Sequence, residues 1–199
     1  MRSAGLGVSL AIVTAVTVVG CADSSPPAGT DRAPAVSTSV VRPALAVVWP
    51  EASKVDERAL AALGRQGTKS EREIRALVAR SPVPVLAPKE LVLASPSLVV
   101  EGEYFALTGR ASGAMVSLQG TRAAHRYEGV EPVSGNRALR ASKGFVSINE
   151  GIRTASWIEN GAAYSVDVEC ESTRDARCRS DEFLLSVVNQ LTYVGGSGR

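Results

Sequence analysis

The chain reads as α+β, an antiparallel sheet with helices packed on it, in a single domain over about residues 45–195. Two patterns carry this. Residues 152–170 alternate apolar and polar side chains around Asn160-Gly161, as a hairpin does. Residues 53–80 and 181–191 instead repeat apolar side chains at helical spacing. Composition agrees: 45% of the 199 residues are hydrophobic and 21% are charged, so the bulk of the chain can bury a core. Aromatics make up 5%, so that core must be mostly Val, Leu, Ile and Ala.

The first segment concerns address rather than fold. Arg2 supplies a positive charge, and residues 6–19 form an apolar run broken only by Gly7, Ser9, Thr14 and Thr17. This is the order of a secretory signal. A transmembrane helix, the alternative, needs about 20 apolar residues, more than this run holds. Val18-Val19-Gly20-Cys21 follows at once and resembles the lipobox of bacterial lipoproteins. The resemblance covers residues 1–21 only and is silent on the domain behind them. It implies removal of residues 1–20 and acylation of the Cys21 thiol and of its new amino group. One acyl chain alone binds a membrane marginally, at about 0.8 kcal/mol per buried CH₂, so a stable anchor needs more than one. The implied location is the cell envelope, with the membrane as partner through Cys21. In lipoproteins of Gram-negative bacteria an Asp after the acylated Cys retains the protein at the inner membrane. Ala22 stands there instead, which implies the outer membrane, facing the periplasm, if the host is Gram-negative.

Residues 21–44 are rich in Ser, Pro, Ala and Thr, including Pro26-Pro27, Gly29, Pro34 and Pro43. Such a stretch buries too little apolar surface to offset its ordering entropy, and reads as a flexible tether. A structured arm is the alternative for the apolar residues 44–49.

Two short helices follow. Ser53 is positioned to cap the first, Val55, Ala59, Leu60 and Leu63 make its stripe, and Gly64 suits its stop. Ser70 and Glu73 have capping-box spacing for the second. Its apolar positions are Ile74, Leu77 and Val78, Glu71 and Arg75 are placed for an i,i+4 pair, and Ser81-Pro82 ends it. Residues 82–88 hold three prolines, which remove three donors and forbid a central strand. An edge strand with buried valines is favoured over a Pro-rich recognition segment. Phe105 and Leu107 then share one strand face, and Val116 and Leu118 another, with a turn inside residues 110–113. A short strand covers residues 145–148.

The hairpin that follows has a readable register. A two-residue turn at Asn160-Gly161 sets Glu159 opposite Ala162, Trp157 opposite Tyr164 and Ala155 opposite Val166. Trp157, Ala155, Tyr164, Val166 and Val168 then share the core face. Ser156, Thr154, Ser165, Asp167 and Glu169 share the other. Cys170 and Cys178 are the pair left beside Cys21, and an exported chain favours a disulfide between them. Metal binding would need further ligands nearby. Ser180 or Asp181 caps a final helix with the stripe Phe183, Leu184, Val187, Val188 and Leu191, broken at Gly195-Gly196.

Chemistry is sparse by contrast. His125 is the sole histidine, and no Gly-x-Ser-x-Gly elbow accompanies it, so it reads as a surface residue among Arg122, Arg126 and Glu128. The spacing of His125, Glu128 and Glu131 matches no established metal site. No phosphate-binding Gly-rich pattern occurs, and no metal or cofactor is expected. Asp167 and Glu169 are neighbours on one strand face; carboxylate pairs of hydrolases leave no sequence signature, but a polar strand face reads as solvated first. The formal net charge of +2 lacks the basic excess of a nucleic-acid binder. Arg122, Arg126, Arg137, Arg140 and Lys143 fall between two strands and, if gathered, would attract anionic head groups or cell-wall polymers. A solvated connection is the favoured reading of them. The leading expectation is a non-catalytic envelope lipoprotein that binds a protein partner or envelope component. The alternatives are a module for a small apolar ligand or lipid, and a hydrolase using carboxylates or Ser.

Overall fold

A computed structural model describes residues 45–122, 134–140, 142–172 and 174–196, all within one compact unit. The signal segment, Cys21 and the tether, along with His125, Arg126, Glu128 and Glu131, lie outside the described residues.

Helix α1 spans Glu57–Gln66, and Asp56 caps it by accepting from the N–H groups of Arg58 and Ala59 at 3.1 and 3.0 Å. Ser53, expected in that role, sits instead in a 3-10 turn at Ala52–Lys54 and donates to Glu51. A carboxylate directly before the first turn satisfies two orphan donors and so sets the start. Gly64 does not stop the helix either. It lies inside α1, where an added Cβ would fall 2.5 Å from Glu71 Cα, so its role is close approach between helices. Helix α2, Glu71–Val78, begins with the expected Ser70–Glu73 capping box. Its Arg75 binds Glu71, as the spacing foretells, and also Glu57 of α1.

The proline-rich stretch becomes strand β1, Val85–Pro88, buried throughout. Seven further strands form an antiparallel sheet: β2 Ala94–Glu101, β3 Tyr104–Ala111, β4 Ala114–Thr121, β5 Arg137–Leu139, β6 Ser142–Asn149, β7 Ile152–Glu159 and β8 Ala162–Glu169. Their order is β2-β3-β4-β8-β7-β6-β5. The protein is therefore mostly β, with a few helices against a large antiparallel sheet. The β7–β8 register matches the sequence reading at all three pairs named above. Asn160 takes φ +53° and Gly161 φ +72°, as a type I′ turn requires.

After β8 come α3, Ala176–Arg179, and α4, Glu182–Asn189. The expected final helix is too long by its last turn: Leu191 opens strand β9, Leu191–Gly195, which pairs with β1 as a separate two-stranded sheet. Among the described residues β1 is paired on one side only, as its prolines require, and its partner β9 lies about 100 residues further along the chain. Cys170 and Cys178 stand at disulfide distance, their Cα atoms 6.2 Å apart, at the junction of β8 and α3.

Alternation places Leu98, Phe105, Leu107, Val116, Leu118, Val166, Val168, Ala155 and Trp157 on one sheet face, buried. Leu60, Leu63, Ile74 and Val78 from α1 and α2, Leu184, Val187 and Val188 from α4, and the β1 residues fill the same core. Among the described residues, no helix covers the opposite face, the usual one-sided burial of an antiparallel sheet.

Candidate functional site

A groove of about 510 Å³ lies beside the tip of the β7–β8 hairpin. One wall is the segment 48–51 and Lys54. The other comes from the start of β9 and from Asn160, and the paired, mostly buried side chains of Arg140 and Glu159 form the floor. The wall segment is held in place where Val48 N–H donates to Asn160 O at 2.9 Å. It crosses the hairpin so closely that a Cβ on Gly161 would meet Ala46 O at 1.9 Å. Gly161 therefore serves the turn and the crossing at once. β9 is tied to the same region by Asp56 N–H, which donates to Tyr193 O at 2.8 Å.

The floor is electrostatically closed. Arg140 begins the turn between β5 and β6 in the left-handed region, φ +51°. Its guanidinium forks onto Glu159 at 2.6 and 3.1 Å and also donates to Leu191 O at 2.5 Å. Trp157 Nε1 donates to the same carboxylate at 3.0 Å. The two side chains are only 17% and 15% exposed. Burial alone would raise the Glu159 carboxyl; the hydrogen bonds from Arg140 and Trp157 more than offset that and hold it below its ordinary value. Behind this pair, Trp157 stacks on Tyr164 with ring centroids 5.6 Å apart. The Tyr164 hydroxyl donates to Pro84 O, and burial pushes its ionisation up.

Above the floor the groove has another character. Trp49 and Tyr193 contribute half-buried rings, and burial also raises the Tyr193 hydroxyl. The polar groups of Trp49, Asn160, Thr192 and Tyr193 side chains have no hydrogen-bond partner among the described residues. The charged lining is balanced, Lys54 and Arg140 against Glu51 and Glu159.

A second recess, about 300 Å³, lies on the uncovered sheet face. It contains Asp167 and Glu169 with Ser117, Thr154 and Asn149, and Thr154 donates to Asp167 at 2.6 Å. The neighbouring carboxylates read from the sequence do share one surface.

The basic residues singled out from the sequence are dispersed. Arg122, beyond the end of β4, faces Glu103 at 3.5 Å. Arg137 of β5 pairs with Asp181 at 3.2 Å, and Arg140 is committed to Glu159. Lys143 is exposed on β6. Three strands separate β4 from β5, so Arg122 stands apart from the others described. Trp157 and Tyr164 are core, as the hairpin pattern indicates, and the groove's aromatic lining is Trp49 and Tyr193. Neither was legible as a pair, because 144 positions separate them in the chain. Among the described residues no group of three or more His, Cys, Asp or Glu is placed to hold a metal ion. No helix among them is long and apolar enough to cross a membrane.

No family model matches this chain, and no curated protein or solved structure matches it.

Proposed function

We propose that this protein is a lipid-anchored binding domain of the cell envelope, held through Cys21 and engaging an envelope component through the groove between residues 48–51 and β9. The observation that carries this is the groove itself. Its two aromatic residues and unpartnered polar groups sit above a fixed ion-paired floor, a largely polar recess with oriented donors and acceptors that can recognise a ligand. The lipobox-like segment Val18-Val19-Gly20-Cys21 supports the anchor.

The reading is tested by photocross-linking in intact cells. A photoreactive residue is placed at Val48, exposed on the groove wall, and as a control at Arg72, exposed on α2. The expected outcome is a discrete adduct at 48, none at 72, and loss of the adduct in Cys21→Ala. Equal labelling at both positions would sink the groove as the binding surface.

A further inference from the structure

We infer that the groove's ligand is an uncharged saccharide, a pyranose ring stacked on Trp49 and Tyr193. The inference rests on the groove being the binding surface and adds the chemical class of what it holds.

Charge excludes most alternatives. Lys54 and Arg140 offset Glu51 and Glu159, and the Arg140–Glu159 fork is closed on itself. A strong anion or cation entering there meets a like charge for each opposite one. What remains to recognise a ligand is neutral. Trp49 offers an indole N–H, Asn160 a carboxamide, and Thr192 and Tyr193 hydroxyls, none with a hydrogen-bond partner among the described residues. Together they can donate to and accept from a ligand rich in hydroxyls.

The rings supply the other half. An aromatic face carries partial negative charge and attracts the weakly positive C–H groups on one side of a sugar ring. The Trp49 ring edge lies 2.8 Å from where a Cβ on Gly196 would sit. A larger residue at 196 would displace it. Tyr193 is held by its backbone, through β1 on one side and Asp56 on the other. A recess of about 510 Å³ lies within the ordinary range for small-molecule sites. A purely apolar ligand would bury those polar groups without partners, which disfavours it.

The test uses the full acylated chain in a non-ionic detergent, with tryptophan fluorescence as readout. The chain has two tryptophans, and Trp157 is buried against Tyr164, so Trp49 carries a ligand-dependent change. The probes are N,N′,N″-triacetylchitotriose and maltotriose, both neutral, with glucuronate and glucosamine as the charged comparisons. Saturable binding of at least one neutral trisaccharide is expected, changing less than twofold between 20 and 200 mM salt. Trp49→Ala and Tyr193→Ala should each weaken it at least tenfold, with NMR shifts replacing fluorescence for the first. Trp49→Phe, which keeps a ring, should retain binding within about threefold. Tighter binding of either charged sugar, a steep salt dependence, or neutral binding untouched by Tyr193→Ala overturns the saccharide class. So does no response to either trisaccharide at 20 mM. If cross-linking at Val48 persists in that case, the groove remains the binding surface and only the ligand class fails.

Discussion

At the scale of single residues, two positions carry more than their local sequence suggests. Gly161 belongs to a type I′ turn, and it also lies under the crossing of Ala46. Gly161→Val therefore meets two penalties, strain at positive φ and a collision with backbone. We expect a loss of at least about 2 kcal/mol, read as a lower denaturation midpoint at unchanged slope. Asn160→Ala meets only the first and should lose about 1 kcal/mol. Glu159 is the second position. Its carboxyl is lowered in the fold, so the unfolded chain binds the proton more tightly. The stability it contributes is complete above the ordinary value of 4.5 and is lost as pH falls through the lowered one. Glu159→Gln keeps the shape but removes the charge that Arg140 is built around. It should lose about 2 kcal/mol at pH 7, and its stability should fall less steeply below pH 4.5 than that of the parent.

Elements show where sequence pattern suffices and where it does not. The β7–β8 register was legible because turn chemistry and alternation agree within one contiguous stretch. The capping box of α2 was legible for the same reason. The two-residue turns at Ser112-Gly113 and Glu150-Gly151 also carry positive φ at both positions, but Ser and Glu do not announce such a turn. β9 was missed because Leu191 continues the helical stripe of α4, and what pulls it into a strand is β1, about 100 residues away. The groove was illegible for that reason too, since it is assembled from the segment before α1, the hairpin tip and β9. Gly64 gives a sharp test of such tertiary override. Gly→Ala inside a helix normally stabilises by about 1 kcal/mol. Here the new Cβ would fall 2.5 Å from Glu71 Cα, on backbone that cannot swing aside. Gly64→Ala should destabilise instead, by about 1–3 kcal/mol of overpacking, in a thermal melt. The Cys170–Cys178 pair makes a second element-scale prediction. In protein isolated without reductant both thiols should resist alkylation until reduced. Closing so short a loop should stabilise by about 2.5 kcal/mol, which the Cys170→Ser, Cys178→Ser double variant would forfeit.

For the whole molecule, address and fold are separable, and that separation is itself a prediction. Among the described residues the core is filled by groups between Val47 and Val194, and the lipobox-like segment stands at residues 18–21. A chain of 24 residues with the composition of residues 21–44 would span about 27 Å, comparable to the width of the domain it carries. The proposed anchor would confine the domain near a bilayer. Cys21→Ala should accordingly move the protein from the membrane fraction to the soluble one. Its denaturation midpoint should match the parent within about 0.5 kcal/mol, the scale of a surface change. On the proposed reading the same variant should bind in the groove in solution as the parent does, yet lose the cross-link at Val48 in cells, the anchor supplying proximity and the groove affinity. Fractionation and denaturation of one preparation decide the matter: a variant that stays with the membrane, or that leaves it by unfolding, would show that anchor and domain are not independent.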